Sequence, residues 1–141
     1  GILHGQDIVD MIKMGAAGVQ MGSRFAACEE SNAAPALKEY YLKSKPEDIV
    51  VIHSPVGLPG RAVHTPFSAR VLEGPVPPKQ CDACLKACQH NFCIIRALTR
   101  AQQGDVETGL VFTGEYMPQI DRVLSVHEIF EQLKAEAEAA D

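Results

Sequence analysis

Two stretches of the sequence combine residue types and spacings that could do chemistry, and the first is residues 18–24 (GVQMGSR). Gly22 has no Cβ, so a ligand can approach its backbone, and Ser23 offers both a hydroxyl and a backbone N–H. If a helix begins after Phe25, its free N–H groups and its dipole point at the same spot. The stretch therefore predicts a phosphate site at the C-terminal end of a strand.

The second stretch holds four of the five cysteines. They are Cys81, Cys84, Cys88 and Cys93. On a helix the first three would share one face, and Cys93 would return from the next segment. Four thiolates could bind zinc or an iron–sulfur cluster, so we take these four residues as candidate metal ligands.

The spacing of the four cysteines leaves other interpretations open. It matches neither the paired cysteines of common zinc sites nor the shorter gaps of bacterial ferredoxins. A reduced cluster that packs against Leu85, Phe92 and Ile94 is one alternative. A redox pair of Cys81 and Cys84 is another. The fifth cysteine, Cys28, stands alone and is expected in the core.

Hydrophobic spacing predicts the elements that position the phosphate stretch. A helix is expected over residues 6–14, with Asp7 at its start and Gly15 as a left-handed residue at its end. Residues 18–22 are expected to form a short strand buried on both faces.

Further elements are expected beyond this stretch. A helix should begin near Pro35 with Ser31 or Asn32 as its cap, and the β-branched run 49–52 should be a buried strand. Another helix should cover residues 93–103.

The last helix has the clearest signal. Ser125 and Glu128 form a capping box at its start, and Leu124 with Ile129 can form a hydrophobic staple. Val126, Ile129, Phe130 and Leu133 then follow at i, i+3, i+4 and i+7, the spacing of one helix face.

Composition excludes several classes of function. The chain has 141 residues, enough for one domain, and a net charge of −5, which argues against a nucleic-acid surface. It has no apolar run long enough to span a membrane, so no membrane partner is expected. An odd cysteine count without a secretory signal indicates a reducing compartment, and we expect a cytoplasmic protein.

The organisation of the chain changes twice. Residues 1–64 are predicted to be α/β, residues 65–80 a Pro/Gly-rich linker, and residues 81–141 mostly helical with the cysteine cluster. A strand buried on both faces needs neighbours that so few strands cannot supply. The first part is therefore expected to be a piece of a larger sheet.

Three motifs in the first part are specific in residue type as well as spacing. They are GIxxGxDI from residue 1, MGAxGVQMGSRF from residue 14 and ESNAxPxxKE from residue 30, with PGRAV from residue 59 and GDVxxG from residue 104 further on. Together they resemble the nitronate monooxygenase (2-nitropropane dioxygenase) family. They also resemble the FMN-dependent enoyl-ACP reductases of the same superfamily.

The resemblance implies FMN at the mouth of a (β/α)₈ barrel, of which this chain is the C-terminal portion. The residues that it places at the flavin are Gly1, Gln20, Met21, Gly22 and Ser23, the last four in the turn that holds the flavin phosphate. Family members usually have threonine at the position of Ser23, and serine keeps the hydroxyl. The family's catalytic histidine has no match here, and His4, in a loop near the expected flavin, is the one histidine that could contribute to a site.

Three functions follow as hypotheses. The first is part of a flavoenzyme that oxidises nitronates with O₂ and takes a small-molecule substrate, inactive as this chain alone. The second is flavin-dependent enoyl-ACP reduction. The third is a non-catalytic metal-binding or interaction module built on the cysteines. Because edge strands would be exposed, we expect the chain to pair with the missing part of the barrel or to self-associate.

Overall fold

The computed structural model describes residues 1–140 and contains six α-helices, one two-stranded sheet and two short 3₁₀ turns. The helices are α1 (Gly5–Lys13), α2 (Ser23–Ala26), α3 (Pro35–Lys43), α4 (Pro66–Glu73), α5 (Ile94–Gln102) and α6 (Val126–Ala140). The strands are β1 (Ile49–His53) and β2 (Pro59–Val63), and the 3₁₀ turns are Pro46–Asp48 and Met117–Gln119. Within these residues no helix is both long enough and apolar enough to cross a membrane.

The sheet is an antiparallel hairpin, with Ile49 opposite Val63 and His53 opposite Pro59. The predicted strand at 49–52 is present, but it is only partly buried: Ile52 is buried, whereas Val51 is 57% exposed. A hairpin packs only one face on the core, so its residues alternate between core and solvent.

Residues 18–22, predicted as a buried strand, form neither helix nor strand and belong to no sheet of the described part of the chain. Gly18, Gln20 and Gly22 are exposed. A barrel strand exists only when neighbouring strands take up its N–H and C=O groups, and here β1 and β2 pair with each other instead. The sequence pattern is typical of a strand, but residues 18–22 have no partner strand within residues 1–140.

Helix α1 packs along α6 and begins as predicted. Asp7 accepts hydrogen bonds from the N–H groups of Leu3 and His4, both at 2.9 Å. Gly15 has φ +99° just after the helix, which is the predicted left-handed conformation. The first residue of the helix, Gly5, lies against the backbone of α6, where a Cβ would collide with Leu133 and Ala137.

Helix α6 has the predicted capping box. Ser125 and Glu128 exchange hydrogen bonds, at 2.8 Å from the Ser125 N–H and 3.2 Å from the Glu128 N–H. Ile129 and Leu133 are buried against Cys28, which confirms Cys28 as a core residue. Leu124 packs in the same cluster, as the predicted staple requires.

Helix α4 lies within residues 65–80, where composition predicted a linker. Pro66 stands in its first turn, and the Thr65 side chain caps it by accepting a hydrogen bond from the Ser68 N–H at 3.1 Å. Phe67 and Ser68 are buried. The first half of the stretch is thus a packed helix, because its proline starts a helix rather than interrupting one.

Helices α3 and α5 lie close to their predicted positions. Helix α3 starts at Pro35 as expected, but its cap position is Ala34 and neither Ser31 nor Asn32 caps it. Helix α5 matches the predicted helix at 93–103 to within one residue at each end.

Candidate functional site

A cavity of about 500 Å³ lies where four separate parts of the chain meet. Its lining consists of the start of the chain, the turn into α2, Tyr41 from α3 and the loop 112–117 that follows α5. The lining residues are Gly1, Ile2, Leu3, Gln20, Gly22, Ser23, Ala26, Tyr41, Phe112, Thr113, Gly114, Tyr116 and Met117. This size is typical of sites for small ligands and cofactors.

Four of the five predicted cofactor residues line this cavity. They are Gly1, Gln20, Gly22 and Ser23. The fifth, Met21, packs its side chain instead beside the core cluster of Cys28, Ile129 and Leu133. Met21 is not among the residues that line the cavity. Met21 therefore belongs to the wall behind the cavity.

Gly22 leaves room at the cavity. A Cβ built on it would meet no atom within 4 Å. Its φ of −106° is open to any residue, so the backbone conformation does not require glycine. What glycine provides here is space for a ligand to reach the backbone.

Helix α2 starts at Ser23, earlier than the expected start after Phe25. Its first intrahelical hydrogen bonds are donated by Ala26, to Gly22 at 3.0 Å, and by Ala27, to Ser23 at 3.1 Å. The N–H groups at the beginning of a helix have no partner within it. Ser23 and the two residues after it therefore offer backbone donors beside the space at Gly22.

Ser23 also connects two walls of the cavity. Its hydroxyl oxygen accepts a hydrogen bond from the Gly114 N–H at 2.8 Å. A hydroxyl that accepts one bond can still donate its own proton. Ser23 thus fixes the loop at Gly114 and keeps one donor for a ligand.

Tyr41 holds the opposite side of the same loop. Its hydroxyl donates to the Phe112 carbonyl at 2.9 Å. Burial raises the pKa of Tyr41 to about 12, so it stays a neutral donor at physiological pH. The Phe112 ring in turn lies against Gly60 of β2, where a Cβ would come within 2.6 Å of it. Residues 112–117 are therefore held in place from both sides.

Sequence reasoning missed the contributions of Tyr41 and of residues 112–117 to this cavity. The signal that could have found the loop was Gly114, which stands in the second half of the chain and fits the family pattern. No spacing rule connects it to Ser23, because the two residues are 91 positions apart.

Two neighbouring polar residues point away from the cavity. Arg24 is buried and donates to the Leu3 carbonyl and to the Gln132 side chain, so it braces the start of the chain against α6. His4 lies 3.3 Å from the Gln119 side chain and 3.7 Å from Glu136, and it does not line the cavity. Both residues support the wall rather than face the ligand space.

The four clustered cysteines lie around a different cavity of about 130 Å³. All of Cys81, Cys84, Cys88 and Cys93 line it. The predicted helical face was wrong, because residues 81–92 contain no helix. Among residues 1–140, no three His, Cys, Asp or Glu side chains are arranged to hold a metal ion. The alternative of a buried packing cluster also fails for Cys81 and Cys84, which are exposed.

The chain matches one protein family over almost its whole length. The family described as nitronate monooxygenase matches residues 1–136. The chain belongs to this family. A probable nitronate monooxygenase of Staphylococcus aureus (strain JH9) is 34% identical over 79 residues, which is 55% of this chain and 22% of that protein. Its counterpart from Staphylococcus saprophyticus is 36% identical over 73 residues, 52% of this chain and 21% of that protein.

Solved structures extend the likeness to almost the whole chain. FabK from Thermotoga maritima superposes with a TM-score of 0.77 and 29% identity, over 98% of this chain and 42% of that one. The nitroalkane oxidase of Streptomyces ansochromogenes superposes with a TM-score of 0.73 over 99% of this chain and 38% of that one. At 21% identity the latter shows the fold alone. This member of the nitronate monooxygenase family thus spans about a fifth of the curated relatives and about two fifths of the solved structures.

Proposed function

We propose that this chain supplies the phosphate end of an FMN site in a flavin-dependent oxidoreductase of the nitronate monooxygenase type. The observation that carries the proposal is the convergence of Gly1, Gln20, Gly22 and Ser23 on one cavity. These are residues that the family resemblance assigns to the flavin. Gly1 lies in a different segment from the other three residues, so adjacency in the sequence does not explain why all four line one cavity.

The residues present fit the phosphate group of FMN. The space at Gly22 admits a phosphate oxygen that a Cβ would exclude. The Ser23 hydroxyl and the free N–H groups at the start of α2 are donors suited to an anion. No acidic side chain is among the residues that line this cavity.

The flavin, when bound, would carry the redox chemistry, and the chain would bind and orient it. Ser23 and the backbone at Gly22 would hold the phosphate. Tyr41, through the Phe112 carbonyl, would keep the loop 112–117 closed against it. The apolar side chains of Ile2, Phe112 and Met117 would limit water at this end of the site.

The chain would act together with the rest of a barrel. Residues 18–22 form no strand pair among residues 1–140, and nearby Met14 is 79% exposed. Unpaired backbone and exposed apolar side chains are surfaces that another part of a protein covers. We expect residues 18–22 to become a barrel strand there, or the chain to self-associate, and light scattering on the purified chain distinguishes monomer from oligomer.

Nitronate oxidation by O₂ is the activity that we assign to the complete protein. The test is to release and identify the bound flavin, and then to follow oxygen uptake with alkyl nitronates as substrates. FMN together with nitronate-dependent oxygen uptake supports the assignment. The chain by itself is expected to give no turnover, because no histidine here matches the family's catalytic base.

Flavin-dependent enoyl-ACP reduction is a second candidate, favoured by the superposition on FabK at 29% identity. The same preparation distinguishes the two activities. Oxidation of a nicotinamide cofactor that depends on an enoyl thioester, without nitronate-dependent oxygen uptake, would assign the second. A protein without bound or bindable flavin would contradict both.

A further inference from the structure

The cysteine cavity has a feature that core packing does not explain. Residues 81–91 form neither helix nor strand, and none of them is fully buried. Yet Cys81, Cys84, Cys88 and Cys93, all with free thiols, surround one space. A loop of this length that buries so little apolar surface lacks the usual source of order, which small or loop-rich units replace with a cross-link or a metal.

Two turns in this loop have the same geometry. The Ala83 N–H donates to the Cys81 sulfur at 3.4 Å, and the His90 N–H donates to the Cys88 sulfur at 3.4 Å. In each turn the donor is the second residue after the cysteine. The two cysteines are therefore held in the same way, each with a backbone N–H directed at its sulfur.

Both turns are formed at a cost in backbone energy. Ala83 has φ 49° and His90 has φ 55°, and they are the two non-glycine residues with positive φ among residues 1–140. Such a conformation is unfavourable for a residue with a Cβ, which comes too close to the following carbonyl oxygen. Strained residues of this kind concentrate at functional sites, where the surroundings hold them. Here the conformation aims a backbone N–H at a cysteine sulfur in each case.

The loop is fastened to the rest of the fold at several points. Arg96 of α5 holds Asp82 through both carboxylate oxygens, at 2.9 and 3.0 Å from one nitrogen. The Gln89 N–H donates to the Pro55 carbonyl at 2.9 Å. The buried Phe92 packs edge-on against Phe67 of α4, with ring centroids 5.8 Å apart. Asp82, Gln89 and Phe92 therefore tie the cysteine loop to α5, to the turn at Pro55 and to α4.

We propose that Cys81, Cys84, Cys88 and Cys93 ligate a soft metal centre, either a zinc ion or an iron–sulfur cluster, through four thiolates. Both centres take four cysteine sulfurs. A single zinc ion needs all four at about 2.3 Å, so the sulfurs would have to move inward from their present places. An iron–sulfur cluster holds its ligands on separate iron atoms and needs less closure. This centre is independent of the flavin site, because the two cavities share no residue.

The experiment measures metal in the full chain prepared in two ways. One preparation is supplied with zinc, and the other is reconstituted without oxygen with iron and sulfide. One zinc per chain from the first identifies a zinc site, whereas iron with matching acid-labile sulfide from the second identifies a cluster. Cys84→Ala and Cys88→Ala are expected to lose the metal, and Cys28→Ala, which removes the buried cysteine outside the loop, is expected to keep it.

Two results would overturn the proposal. One is the absence of stoichiometric metal from both preparations of a folded chain, as judged by circular dichroism. The other is metal that remains in Cys84→Ala and Cys88→Ala at the level of the unchanged protein. Sulfide and metal analysis are independent of flavin content, so failure here leaves the FMN proposal standing.

Discussion

The Ser23 hydroxyl accepts a hydrogen bond from the Gly114 N–H at 2.8 Å, and this bond joins segments that are 91 residues apart in the chain. One partner lies at the start of helix α2 and the other in the loop 112–117, and both line the same cavity. The candidate flavin site is therefore assembled by tertiary structure. The Ser23 side chain joins the turn before helix α2 to the opposite wall of the cavity.

Removal of this bond should loosen the site. Ser23→Ala leaves the Gly114 N–H without its partner, which is expected to lower the free energy of unfolding by about 1 kcal/mol. Ser23→Thr retains the hydroxyl and should stay close to the unchanged protein. Urea unfolding of the three proteins checks this. Equal stability of the alanine and serine forms would mean that the bond contributes nothing.

Close packing between α1 and α6 depends on Gly5. A Cβ there would collide with backbone atoms of Leu133 and Ala137, which cannot rotate away as a side chain could. Gly5→Ala should therefore destabilise the chain by about 1–3 kcal/mol, the usual range for overpacking. Gly18→Ala is the matched control, because a Cβ at Gly18 meets no atom within 4 Å. Thermal unfolding that is equally affected in both variants would contradict this contact.

Because Tyr41 is buried, we expect the fold to lose stability in strong alkali. Burial raises its pKa from 10.0 to about 12, so in this range the unfolded chain releases the phenol proton before the folded chain does. The contribution of the neutral phenol is full below pH 10 and is lost as the pH rises towards 12. Tyr41→Phe should show a smaller drop in unfolding free energy between these values. An identical drop in both proteins would show that Tyr41 is not the group responsible.

Because of Asp7, the unfolding free energy should fall as the pH is lowered, the reverse of the pH dependence expected from Tyr41. Partial burial raises its pKa, but hydrogen bonds from the Leu3 and His4 N–H groups outweigh this and hold the pKa below the ordinary 3.8. Its contribution is present above 3.8 and is lost as the pH falls through the folded value. Asp7→Ala should cost up to about 1 kcal/mol at pH 7, since water screens this partly exposed carboxylate. The difference from the unchanged protein should shrink as the pH falls below 3.8, and a difference that does not change there would point to another cause.

Local signals in the sequence predicted the helices well. The Ser125–Glu128 capping box, Gly15 after α1 and Pro35 at the start of α3 are each settled by residues a few positions apart, and the structure has all three. Such features depend on the chain's own backbone donors and need no distant partner.

The pairing of strands and the meeting of distant residues at the cavity could not be predicted from the sequence. The apolar run 49–52 indicates a strand, but not that its partner is the Pro/Gly-containing β2. Residues 18–22 have a strand pattern without a partner strand in residues 1–140. Four of the five residues that the family resemblance places at the flavin line one cavity. The position of Met21 and the wall at Tyr41 depended on side-chain direction and on contacts across the fold.

The most direct test of the central claim is the amount of FMN bound per chain in the purified protein, with and without Gly22→Val. A Cβ at Gly22 meets no atom of the chain within 4 Å, so the fold should tolerate valine while its side chain occupies the space proposed for the phosphate. Gly74→Val is the matched control, because a Cβ there also meets no atom within 4 Å and Gly74 does not line the cavity. We predict that Gly22→Val loses the flavin while Gly74→Val and the unchanged protein keep it. Unaltered flavin content in a folded Gly22→Val protein would contradict the assignment of this turn to the FMN phosphate.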